Sequence, residues 1–157
     1  MAEVYFYRLT RSPLEVALSR LLARALETGW RVAVRGRDAG RLSWLDGQLW
    51  LGAEDGFLPH GLDGGPHDAD QPVLLTASPH LPPGVACLMS VDGAAIAAEE
   101  AAALQRVCIL FDGNDPAALS LARQQWCDVT AAGLGAQYWS EDGGRWEKKL
   151  QKAAAPV

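Results

Sequence analysis

An α/β domain with a mainly parallel central sheet and helices on both of its faces is the fold this sequence predicts. Two observations carry that prediction. Short apolar runs alternate with segments of helical period along the chain, and Gly, Ser-Pro or Asp-Pro punctuates many of the changes. A third, the absence of internal repeats and of any low-complexity linker in 157 residues, assigns the whole of 1–157 to one domain.

Residues 4–9 (Val-Tyr-Phe-Tyr-Arg-Leu) carry apolar or aromatic side chains on both faces and predict the first strand. Ser12 is placed to cap a helix with Pro13 at its first position. Leu14, Leu18, Leu21, Leu22, Ala25 and Leu26 then recur at helical spacing until Gly29 stops them. Arg31–Arg35 predicts a second strand, and Asp38 a cap for a helix with Leu42, Leu45 and Leu49 on one side. Residues 52–72, rich in Gly, Asp, His and Pro, predict a loop whose length suits a functional segment. Further strands are expected at 73–76, 85–91 and 107–111, with an Ala-rich helix over 94–104. Asp115-Pro116 opens the clearest helix, which runs to about Ala132 and ends at Gly133. Beyond it, Gln137-Tyr138-Trp139 and Gly144-Arg145-Trp146-Glu147-Lys148 predict a short hairpin or flap over about 134–150.

A chain that is 49% hydrophobic and 21% charged has the composition of an ordinary soluble domain. Its opening, Met-Ala-Glu-Val-Tyr-Phe-Tyr-Arg-Leu, lacks the basic start and long apolar run of a signal peptide. No stretch approaches the roughly 18 apolar residues of a membrane span. Cys87, Cys108 and Cys127 have no CxxC spacing, and two of them sit in apolar runs, as reduced core thiols would. A cytoplasmic location, with no membrane partner, is the expectation.

Charge is unevenly placed. Residues 1–41 hold eight Arg against four acids, whereas residues 42–105 hold no Lys or Arg against nine acids. The lysines are Lys148, Lys149 and Lys152. A net charge of −5 without a concentrated basic stripe argues against nucleic acid as a direct ligand.

Signs of catalysis are missing. The first strand–helix junction, Arg8-Leu9-Thr10-Arg11-Ser12-Pro13, has no glycine to admit a pyrophosphate, and no Gly-Lys-Ser/Thr triplet occurs. His60, His67, Asp68 and Asp70 share one segment but match no zinc signature, and a solvated loop accounts for them. No Gly-x-Ser-x-Gly elbow exists, and no cysteine has a recognisable His partner. The expectation is a non-enzyme without cofactor or metal.

The aromatics are the unusual feature. Six Trp occur, several in polar surroundings, and Trp50 and Phe57 stand seven apart. Two readings remain open: anchors of a protein interface, or a cap on the sheet edge that belongs to the core. On the helix from 116, Leu119, Ala122, Trp126 and Val129 form the sheet-facing stripe, and Arg123 adjoins Leu119 and Trp126. Such a guanidinium can receive the carboxylate of a peptide with a hydrophobic last residue, or it can serve as a surface arginine with an ion-pair partner.

Several landmarks occur in order from residue 4 to 149. They are the opening Val4-Tyr-Phe-Tyr-Arg-Leu9, Gly29-Trp30-Arg-Val-Ala-Val34, and Leu49-Trp50 followed by Phe57-Leu58-Pro59-His60. Later come Leu121-Ala122-Arg123 with an aromatic three residues on, Ala132-Gly133, and Tyr138-Trp139 with Gly144-Arg-Trp-Glu-Lys-Lys149. In these the chain resembles the chi subunit of bacterial DNA polymerase III. The Leu-Trp…Phe-x-Pro-His spacing and the ending are together the most specific.

The resemblance implies a Rossmann-like, three-layer α/β domain with no catalytic activity, an adaptor in DNA replication. One surface would hold the psi subunit, and through it the clamp loader, with Trp50, Phe57, Leu58, Pro59 and His60 on the psi side. In some members of the family that surface takes a helicase-like protein instead. The other would take the acidic, Phe-terminated tail of single-stranded-DNA-binding protein, at Arg123, Trp126, Leu119 and Cys127. The family's tail site adds lysines one turn before the arginine and four residues after it, where this chain has Leu119 and Cys127. Each missing cation removes about 0.5–1 kcal/mol of attraction if exposed. Arg145, Lys148 and Lys149 would compensate if the terminal flap folds over the helix. The rival readings are a degenerate nucleotide-binding α/β enzyme and a chi-fold adaptor with a different partner.

Overall fold

The computed structural model describes residues 2–51, 60–64 and 71–154. In chain order these form β1 (Glu3–Leu9), α1 (Leu14–Glu27), β2 (Arg31–Arg35), α2 (Ala39–Leu51) and β3 (Gly61–Leu62). There follow β4 (Val73–Thr76), β5 (Val85–Ser90), α3 (Ala98–Ala102), β6 (Arg106–Asp112), α4 (Pro116–Ala131), β7 (Gly135–Ser140) and β8 (Glu147–Lys152). All the strands join one sheet in the order β3-β4-β2-β5-β6-β1-β7-β8, parallel except for the β7–β8 pair.

Both faces of the sheet are covered, which is why its middle strands read as nearly unbroken apolar runs. Val107, Ile109 and Phe111 of β6 point to one core, and Cys108 and Leu110 to the other. Leu18 and Leu22 of α1 pack with Leu42, Leu45 and Leu49 of α2 in one core. The opposite core joins Val4, Phe6 and Ile109 to Ala122 and Val129 of α4 and Ala101 of α3. Burying one such leucine contributes about 1.5–3 kcal/mol. β1 and β6 are neighbours, yet the helices that follow them, α1 and α4, lie on opposite faces, so a crevice opens at their carboxyl ends.

The expected strands at 4–9, 31–35, 73–76, 85–91 and 107–111 all form, and Gly29 and Gly133 end α1 and α4 at φ +88° and +85°. Asp115 caps α4 by accepting from the Ala117 N–H at 3.0 Å, and Asp38 likewise serves Arg41 at 3.2 Å. Cys87 and Cys108 are buried free thiols; a hydrogen bond with Cys108, and then burial, hold the Cys87 thiol far above its ordinary pKa.

Three expectations require correction. The Ala-rich helix covers only Ala98–Ala102. The carbonyl of Ala94 instead accepts from the Ser90 hydroxyl at 2.7 Å, and that of Ala95 from Arg35 at 3.2 Å, so tertiary partners replace helical ones. Within the stretch expected to be loop, Gly61–Leu62 pairs with β4 as a short parallel edge. Ser12 does not cap α1, because Pro13 takes the cap position and the Ser12 hydroxyl turns to Glu141.

Candidate interaction surfaces

On α2, Leu42, Leu45 and Leu49 occupy the sheet-facing positions, so the helix turns Trp44, Trp50 and Leu51 outward. These are 41%, 47% and 77% exposed, and Leu62 stands at 37%. The Trp50 ring stacks on His60 at 4.4 Å between centroids. His60 is buried, with Nε2 3.2 Å from both the carbonyl and the carboxylate of Asp46. His60 therefore supports Trp50 from beneath. Phe57, Leu58 and Pro59 lie outside the described residues. Trp44 was not singled out in the sequence, although its mismatch with the Leu42/Leu45/Leu49 phase marks it as outward. The Arg41 guanidinium lies 4.1 Å from the centre of its ring and pairs with Asp92 at 3.1 Å.

The second surface is the flank of α4 nearest β7. Ala122 and Val129 are buried, while Leu119 and Trp126 are partly buried against the same core. Trp126 is wedged between Phe6, 5.4 Å away, and Tyr138, 6.3 Å away. Arg123 and Cys127 are exposed. Burial raises the Tyr138 pKa, against the pull of the Arg8 and Arg123 cations. Arg8 is thus a second cation near this flank, and its place in a strand of aromatics hid it in the sequence.

The terminal segment does not fold over α4. It extends the sheet as β8, where Lys148 pairs with Trp139, itself paired with Tyr7 of the α1-side core. Lys148 therefore belongs to the face away from Arg123. Lys149 lies 3.4 Å from Glu147, and Arg145 is 86% exposed beside the same carboxylate.

A crevice of about 780 Å³ at the carboxyl ends of β1 and β6 is lined by neither Trp50 nor Arg123 and Trp126, and reaches the first surface only at Arg41 and Asp92. Ala117, Ala118, Leu121 and Gln125 form its α4 wall, the opposite flank from Arg123. Asp92, Asp112 and Asp115 also line it, alongside Arg11, Arg37 and Arg41. Among the described residues, no three His, Cys, Asp or Glu side chains cluster to hold a metal ion. His67, Asp68 and Asp70 lie outside the described residues. Nor is any described helix long and apolar enough to cross a membrane.

The molecule is thus an α/β protein whose exposed aromatics and arginine suit contacts with other proteins. A family model described as DNA polymerase III chi subunit, HolC, matches residues 1–137, and the chain belongs to that family of accessory subunits of DNA polymerase III. No match was found among curated proteins. The matched span contains Trp50, Arg123 and Trp126 and ends just before Tyr138-Trp139.

Proposed function

We propose that this chain is a non-catalytic adaptor that links the clamp loader, through psi, to single-stranded-DNA-binding protein during replication. The observation that carries this reading is the family match together with the state of Arg123. The residue is exposed beside a half-buried Trp126 and Leu119 on the flank where a peptide's last side chain and carboxylate could be received. For the psi side, support comes from Trp50, held outward on His60, with Trp44 and Leu51 also exposed on α2.

Two cations at the tail flank, Arg123 and Arg8, partly offset the lysines replaced by Leu119 and Cys127. Many tails displayed on one coated strand raise the effective concentration, so a modest site suffices. We read 1–157 as one Rossmann-like domain of cytoplasmic location. Parallel strands and helices on both faces support that reading, although β1 here neighbours β6 and β7. Direct DNA contact is not part of the proposal. The early arginines support leaving it out, since Arg8, Arg11, Arg31 and Arg35 donate to backbone carbonyls within the fold.

The test is calorimetric titration of the full chain with an acidic peptide ending in Asp, Pro and Phe, and separately with psi. Saturable binding of each, with both held at once, is expected. A chain that binds neither would sink the adaptor reading.

A further inference from the structure

The turn between β1 and α1 is where a doubly wound sheet ordinarily receives a phosphate, on the amides that open the helix. In this protein that turn is already occupied. The N–H groups of Thr10, Arg11 and Ser12 converge on one carboxylate oxygen of Glu141, at 3.1, 2.8 and 2.5 Å. The Ser12 hydroxyl donates to the other oxygen at 2.8 Å. Glu141 follows β7, is 4% exposed, and has no ion-pair partner among the described residues.

A buried carboxylate without a cation is costly unless hydrogen-bond donors replace its water. Three amides in succession and a hydroxyl are such a set, and they form a concave array that suits an oxyanion. The Arg11 guanidinium extends the grip, donating to the Asp142 carbonyl at 3.1 and 3.2 Å. Thr10, Arg11 and Ser12 also line the crevice, and the Thr10 hydroxyl is buried there with no partner among the described residues.

We propose that the β1–α1 turn is an oxyanion site whose resident ligand is the chain's own Glu141. Held there, the carboxylate docks the β7–β8 hairpin against the start of α1 and denies the amides to phosphate. Removing it opens the turn to a small tetrahedral oxyanion.

The probe is inorganic phosphate, with chloride at matched ionic strength as the reference, applied to the full chain and to Glu141→Ala and Glu141→Gln. Thermal unfolding and amide hydrogen exchange are read together. The wild type should ignore phosphate. Glu141→Ala should exchange hairpin amides at least about tenfold faster. It should also gain a saturable, phosphate-specific rise in Tm that slows that exchange again. Glu141→Gln, which keeps one acceptor oxygen, should hold the hairpin and show no phosphate response. If Glu141→Ala folds only in phosphate, the proposal stands. It is overturned if phosphate affects Glu141→Ala no more than the wild type. It is equally overturned if Glu141→Ala folds in neither salt while Glu141→Gln behaves as the wild type.

Discussion

At the carboxyl end of β2, the Arg35 guanidinium is 5% exposed and donates five hydrogen bonds. Two reach the Glu100 carboxylate, at 2.6 and 2.8 Å, and three reach the carbonyls of Ser78, Pro79 and Ala95. On the outer flank of α4, Arg123 is exposed and engages no hydrogen-bond or ion-pair partner among the described residues. The difference separates two uses of one side chain. Arg35 sits where β2, the segment after β4 and α3 meet, and every N–H it owns is committed to holding them. The donors of Arg123 remain available to something outside the chain.

The largest expected effect follows from the committed arginine. Arg35→Ala leaves Glu100 and three carbonyls without their donor and should destabilise the fold by about 3–5 kcal/mol, as breaking a buried ion pair does. Urea unfolding measures this. A loss below about 1 kcal/mol, the ceiling of an exposed pair, would erase the contrast with Arg123.

Trp50 sharpens the comparison, because it lies between the two extremes. It is half exposed yet stacked on buried His60. Trp50→Ala should cost about 2 kcal/mol or more in psi binding if it is an interface hot spot. Loss of the stack should cost about 0.5–1.5 kcal/mol of stability. The two quantities come from titration and from denaturant unfolding of the same variant. A large stability loss with binding intact would place Trp50 in the core.

A smaller effect separates a buried carboxylate from exposed ones. Burial alone would raise the Glu141 pKa, but hydrogen bonds from the Ser12 and Arg11 amides, the Ser12 hydroxyl and the Thr10 amide together lower it below the ordinary 4.5. A group with a depressed folded pKa contributes stability above its unfolded pKa and loses it as pH falls through the folded value. Below about pH 4.5 the wild type should therefore lose stability that Glu141→Gln does not. Parallel curves for the two proteins would show that the carboxylate charge is not what the turn holds.

How much of this was legible in the sequence depended on how far the deciding partner lay along the chain. The middle strands, the leucine faces of α1 and α2 and the stops at Gly29 and Gly133 are local signals, and each was readable. The role of Ser12 was not, because its partner is 129 residues away, and the local Ser-Pro pattern argued for a cap. The same holds for residues 94–97, where alanine favours helix but Arg35, Ser90 and Gln125 recruit the carbonyls. Arg123 and Trp126 could be placed on one helix face from spacing alone. Their neighbours Arg8 and Tyr138 come from strands that only the sheet order brings alongside. Gly113 shows the same limit. A Cβ there would meet the Arg8 side chain at 2.5 Å, a closeness no pattern within its own segment announces.

The central claim, that Arg123 is held free to receive a peptide carboxylate, is tested most directly by one four-way titration. Wild type and Arg123→Ala are each titrated with the acidic Phe-terminated peptide and with its carboxyl-amidated form. A charge-assisted contact of about 1.5–3 kcal/mol predicts about tenfold or greater weakening by Arg123→Ala. Amidation should weaken the wild type by a similar factor and the variant far less, while stability moves within about 0.5 kcal/mol. Equal affinity of wild type and Arg123→Ala for the free-acid peptide would contradict the account.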